Sequence, residues 1–327
     1  MEPAQFFTAS RVLIVAGKGG VGKTTVAASL ARAAARVGVQ ALLIEVEGKS
    51  TLAAAIGLDE LRYEAQAVAP ESTGAAELAA RALTPEKALS DYLDRRGLTR
   101  ALRRLQGQKI LDLLANSTPG VNDLLVLGKI KQLEQAETPG VIIVDAPAAG
   151  HAITFLRSAA GVLDSVGSGP VREQAEEVDA MLSDPRRCQV LLVTLAEETP
   201  VNEAVETAYR LEEEVGIKLG PMIVNALRPT VAGFDTTAAD AARASHADLD
   251  RDLLEALDAV HRFRAGRAAL EREQLTRLEE LLPLEQVRLP YLSEVGLGPA
   301  QIARLATELI EQFATLSTPV DVAGCDT

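Results

Sequence analysis

An α/β fold, a parallel sheet covered by helices, is predicted by three observations. Short runs of Val, Ile and Leu alternate along the chain with Ala- and Leu-rich helical stretches, the order that parallel strands and right-handed crossovers require. The apolar runs show no polar alternation, as expected of strands covered on both faces. The first of them opens directly into GKGGVGKTT, residues 17–25, a glycine loop followed by a helical pattern.

The elements follow in order. Residues 11–16 (RVLIVA) read as the first strand, and 24–38 (TTVAASLARAAARVG) as the helix behind the loop. The runs at 41–46, 141–147, 189–195, 221–227 and 285–290 complete the sheet, with 63–70 as a short edge strand. Two stretches carry no strand signal. Residues 84–137 begin at Thr84-Pro85, a helix N-cap with Pro in the first position, and 235–282 are charged and rich in Ala and Leu. Both are expected as helical insertions forming a subdomain within one domain spanning 11–316. The Pro- and Gly-containing residues 317–327 are expected to be a flexible tail.

Composition sets limits. Of 327 residues 47% are hydrophobic and only 3% aromatic, without Trp, so the core is built from Leu, Val, Ile and Ala. The formal charge of −13, with no Lys/Arg cluster clear of acidic neighbours, removes the electrostatic basis for nonspecific nucleic-acid binding. Arg95, Arg96, Arg100, Arg103 and Arg104 read as a solvated helix face, with a contact to a client or an anionic surface as the alternative. Two distant cysteines, Cys188 and Cys325, indicate neither a zinc clasp nor a disulfide framework. No basic-then-apolar leader and no apolar run of about 18 residues is present, which predicts a cytoplasmic protein.

The chemistry starts at the loop. Gly17, Gly22, Lys23 and Thr24 occupy the fixed places of G-x-x-x-x-G-K-[ST]. Glycines let successive backbone N–H groups face phosphate oxygens, and Gly19, Gly20, Val21 and Thr25 supply the rest of that cradle. Lys23 is expected on the β- and γ-phosphates of a bound nucleotide and the Thr24 hydroxyl on Mg²⁺. Asp145 ends the run VIIV, where a carboxylate at a strand's C-terminal tip serves Mg²⁺ or its water.

Lys18, directly after the first glycine, is the signature lysine of a deviant loop, and here the chain resembles the P-loop class containing the Min-, Par- and ArsA-type ATPases. DAPAAGH (145–151) resembles the ArsA-type second switch, with the Pro one residue early at Pro147. In that motif Gly150 and His151 supply a hinge and a γ-phosphate sensor. TPGVNDLLVLGKIKQ (118–132) resembles the PG-[IV]-x-E helix preceding that switch, with Asn122-Asp123 where the family has a residue and then Glu. These matches, the chain length and the helical insertions separate the ArsA-type branch from the others. The likeness is greatest to actinobacterial ArsA-like subunits that occur as neighbouring pairs.

The resemblance implies Mg-ATP hydrolysis in a nucleotide-sandwich dimer, homodimeric or with a paralogous subunit, with Lys18 crossing to the partner's phosphates. It also implies a targeting, chaperone-like or transport-coupled role toward a protein client or membrane-protein partner. The first switch departs from the family. In LLIEVEGKS (42–50), Glu47 aligns with the aspartate that orients the attacking water, and Glu45, two residues back, is the other candidate. Asn225 matches the residue that reads adenine through its amide, and Pro290 and Tyr291 match a loop beside the ring. A catalytic subunit of an anion efflux pump is an alternative, though two cysteines cannot supply the three thiolates of an arsenite site. A Min- or Par-type positioning ATPase is a further one, lacking the basic amphipathic C-terminal helix that membrane binding requires.

Overall fold

Strand β1 (Val12–Gly17) lies at the middle of an eight-stranded sheet ordered β3-β4-β2-β5-β1-β6-β7-β8. The computed structural model describes residues 1–46, 51–70, 74–95, 120–136, 140–229, 236–294 and 296–317. In chain order the elements are α1 (Pro3–Thr8), β1, α2 (Lys23–Arg36), β2 (Ala41–Glu45), α3 (Thr51–Ala55), β3 (Gln66–Ala67), β4 (Leu78–Ala82) and α4 (Pro85–Arg95). Then come α5 (Val121–Glu134), β5 (Val141–Asp145), α6 (Ala149–Ser165), α7 (Pro170–Ser183), β6 (Cys188–Leu195) and α8 (Glu198–Val215). The chain continues with β7 (Met222–Leu227), α9 (Ala238–Ala244), α10 (Arg251–Leu281), β8 (Gln286–Pro290) and α11 (Pro299–Phe313).

All pairings are parallel except β3 with β4, the antiparallel edge. Every residue of β1, β2 and β5 is buried, which explains the unbroken apolar runs. Alternate residues feed two cores. Val12, Ile14 and Ala16 join Leu127, Phe155 and Met181 on one face. Leu13 and Val15 join Leu30, Leu43 and Phe313 on the other. Strand β4 is an addition to the sequence reading. Its segment LAARA has helical composition, yet it pairs in register with β2 from Ala41↔Leu78 to Glu45↔Ala82. Packing between two strands overrides a weak local preference.

Helix α4 starts at Pro85, and α5 contributes Leu124, Leu127 and Ile130 to the same core as β1 and β5. Helix α10, 31 residues long, buries only Glu271, Gln274 and Leu278. Its exposed length carries Leu253, Leu257, Val260, Phe263 and Leu270. Among the described residues no helix is long and apolar enough to cross a membrane. Residues 96–119, which hold four of the five singled-out arginines, lie outside those described, as do residues 318–327 of the expected tail.

Candidate active site

The functional candidates gather where β1, β2 and β5 end, because parallel strands deliver all their C-terminal tips to one edge. Gly17 closes β1 at φ 153°, and a Cβ there would come within 2.3 Å of the Val193 carbonyl oxygen on β6. Gly20 and Gly22 follow at φ 88° and 91°, the left-handed conformation that glycine adopts without steric cost. Gly22 is the N-cap of α2, so the loop hands its N–H groups to a helix N-terminus. Val21 anchors the loop with a side chain that is 1% exposed in the α2-side core. Thr25, in the first turn of α2, accepts the Ser29 hydroxyl on its carbonyl at 2.8 Å.

A cavity of about 390 Å³ opens beside this loop, lined by Gly19, Gly20, Lys23, Thr24, Glu45 and Asp145 among others. Lys23 is 7% exposed, and its Nζ donates to the Lys18 carbonyl at 3.0 Å, curling the loop around its own lysine. The Thr24 hydroxyl donates to Asp145 Oδ2 at 2.7 Å, so the two predicted Mg²⁺ residues meet across 121 positions of sequence. Glu45 stands in register with Asp145 on the adjacent strand and is buried. A hydroxyl and two carboxylates form an all-oxygen donor set, which suits a hard divalent cation that shares the phosphates of its substrate. Glu47, the predicted water-orienting residue, lies outside the described residues.

Lys18 does not line this cavity. Its ammonium instead pairs with Glu203 Oε1 on α8 at 2.5 Å, both side chains about one third exposed (36% and 39%). Sequence reasoning had no route to Glu203, whose approach depends on β6 carrying α8 past the loop. The second switch leaves β5 at Asp145 and enters α6 after Ala148, with His151 exposed in its first turn. Asp123, in the first turn of α5, has its carboxyl pushed up by burial, and the nearby His151 pulls the other way. The two segments matched separately in the sequence therefore face each other.

The base-side candidates lie at the tips of β7 and β8. Asn225 is 9% exposed, and its Nδ2 donates to the Val21 carbonyl at 2.9 Å. The β7–β8 register shifts between Val224 and Leu227, and Ala226 sits at φ 56°. Pro290 pairs with Leu227, and the Tyr291 N–H donates to the Leu227 carbonyl at 2.7 Å. The Arg228 guanidinium lies 5.5 Å from the Tyr291 ring centroid and is anchored by Glu271 of α10 at 2.6 Å. Lys23, Thr24, Glu45 and Asp145 thus share one cavity, Asn225 touches the loop at Val21, and Pro290 lies two strands out from β6.

A β1–glycine loop–α2 unit at the centre of a parallel sheet, with a threonine and an aspartate joined beside it, defines a phosphate-loop nucleotide-binding protein. Comparison with known proteins narrows this class. Residues 10–167 match the model of the anion-transporting ATPase family, a span that contains the loop, Asp145 and the second switch. The chain is 34% identical over 256 residues to ATPase BagA of Mycobacterium tuberculosis, covering 75% of this chain and 72% of that protein. An ATPase of Mycobacterium bovis matches to the same extent. A Halobacterium salinarum protein provisionally named an arsenical pump-driving ATPase is 25% identical over 291 residues, 83% of this chain but 43% of that one. The chain belongs to the ArsA-type anion-transporting ATPase family, and it is an ATPase.

Proposed function

We propose that this ATPase works as a dimer closed around nucleotide, and that turnover gates its hold on a protein partner. The observation that carries the reading is the position of Lys18. Lys18 is not among the residues lining its own cavity; its ammonium pairs with Glu203 on α8, and its side chain is about one third exposed. A cation held outside its own cavity would serve the phosphates of a second subunit on leaving Glu203, in the manner of an arginine finger. The partner is either a second copy or a paralogous subunit.

Each side chain in the cavity then has a role. Lys23 and the loop N–H groups would hold the β- and γ-phosphates, while Thr24 and Asp145, assisted by Glu45, would hold Mg²⁺. When bound, the cation neutralises charge on the transferred phosphoryl group. Glu47 or Glu45 would orient the attacking water by accepting its proton. Asn225 and Pro290 would meet the adenine. The long exposed apolar side of α10 and the α4–α5 pair supply the surface for a client. The name of the Halobacterium relative points to a pump, but Cys188 does not favour thiolate chemistry. It is fully buried in β6, and that burial pushes its thiol well above the ordinary range.

The test is Lys18→Ala. It should leave MgATP affinity within about twofold and remove turnover that depends on protein concentration. Adding a Lys23-defective subunit with Lys18 intact should restore turnover at the mutant's own site. Unchanged turnover by Lys18→Ala alone would defeat the reading.

A further inference from the structure

Asn225 joins two parts of the site that the sequence treats as separate. It comes from β7, two strands away from β1, yet its side-chain amide reaches the phosphate loop and donates to the Val21 carbonyl at 2.9 Å in a buried contact. The fit is tight from both sides. A Cβ on Gly22 would stand 2.3 Å from Asn225 Nδ2, so the glycine before Lys23 is needed for the amide as well as for the backbone turn. The strand is deformed at the same point. Its ladder with β8 shifts between Val224 and Leu227, and Ala226 takes φ 56°, which costs a non-glycine residue about 1 kcal/mol. Backbone strain adjoining a buried side-chain bond is the pattern of a position held for function rather than for packing.

A carboxamide has two N–H donors and one carbonyl acceptor. One donor is committed to Val21. Among the described residues the second donor and the carbonyl make no hydrogen bond. A donor and an acceptor side by side are what the edge of adenine requires, and guanine presents the opposite pattern at the corresponding positions.

We propose that Asn225 is a shared joint, one amide that props the phosphate loop through Val21 while offering its remaining donor and carbonyl to the base. Base recognition and loop geometry are then coupled through a single side chain. This rests on the phosphate-loop reading above. The consequence is specific: Asn225 should matter to a ligand that has phosphates and no base. Removing it leaves the Val21 carbonyl without its partner and lets the Val21–Gly22 peptide relax, so the N–H groups beyond it lose their aim.

The experiment measures binding of Mg-tripolyphosphate, MgATP and MgGTP to the full chain by titration calorimetry, for the natural sequence, Asn225→Ala and Asn225→Asp. Both variants should bind tripolyphosphate about five- to tenfold more weakly, the scale of one lost buried hydrogen bond. Both should also reduce the preference for ATP over GTP. The aspartate keeps the shape and lacks both donors, so it reports if the alanine variant does not fold. Unchanged tripolyphosphate binding would overturn the proposal and leave Asn225 a base reader alone. An unchanged ATP-over-GTP ratio would overturn it from the other side, leaving a purely structural prop. Lys23→Ala is the control for the underlying reading: if it too binds tripolyphosphate normally, the phosphate loop is misassigned, which is a different failure.

Discussion

Replacing Lys23 by Ala removes the only cation among the described residues that line the cavity. Lys23 is 7% exposed, so its side chain is largely withdrawn from water and its attraction to phosphate is little screened. Truncating one member of a buried, hydrogen-bonded charge pair costs about 2–5 kcal/mol. The loop N–H groups, and the Mg²⁺ that Thr24 and Asp145 would hold, are left in place by the substitution, which argues for the lower part of that range. About 2–3.5 kcal/mol corresponds to a roughly 30- to 400-fold loss of MgATP affinity. The substitution is expected to leave the fold in place, because alanine is a good helix former in the first turn of α2. Titration calorimetry with MgATP gives the affinity, and a thermal melt without nucleotide confirms the fold. An affinity within threefold of the natural protein, on a chain that melts normally, would refute the assignment of this cavity to the triphosphate.

Three further outcomes are expected. Glu47→Gln should retain MgATP binding and slow hydrolysis by about a hundredfold or more, the scale of a lost general base; single-turnover assays of this variant beside Glu45→Gln show which carboxylate acts, and near-normal rates in both would exclude the pair. Asp91→Ala should lower stability in urea by about 1–3 kcal/mol, a range discounted because its side chain is 35% exposed, since Tyr63 and Lys129 donate to it at 2.7 and 2.5 Å. Burial pushes the Asp91 carboxyl up, but the bonds from Lys129 and Tyr63 outweigh it and hold it below the usual value. The difference between natural and variant chains should therefore be full above about pH 4, the unfolded carboxylate value, and shrink as pH falls through the lower folded one. Hydrogen exchange in α4, α5, α9 and α10 should differ between ATP-bound and ADP-bound forms of a hydrolysis-blocked chain; changes restricted to the loop and second switch would separate the helices from nucleotide gating.

Much of this was legible from residue types alone. Buried parallel strands announce themselves as Val/Ile/Leu runs, which is why β1, β2 and β5 through β8 fall where those runs do. The loop glycines and Asp145 were legible because phosphate cradles and strand-tip carboxylates tolerate few alternatives. Strand β4 was hidden because its central AAR has no intrinsic β preference and becomes a strand only between β2 and β3. Helix α1 was missed as well. It owes its order to Phe6 and Phe7 packing on Phe313, a contact between opposite ends of the chain. Glu203 and the Asn225–Val21 bond were illegible for a similar reason. Each depends on how neighbouring strands bring distant side chains to one edge, and no local pattern encodes that.

Cys188 turns the centre of the sheet into a position that can be timed. It begins β6 opposite Val12 on β1, with none of its surface exposed and its thiol kept protonated by burial. Only the thiolate attacks a thiol-labelling reagent, so labelling has to wait until β6 parts from its neighbours and admits water. In a chain carrying Cys325→Ser, the labelling rate would act as a clock for that opening. Nucleotide that binds the closed sheet should slow the clock in proportion to its occupancy.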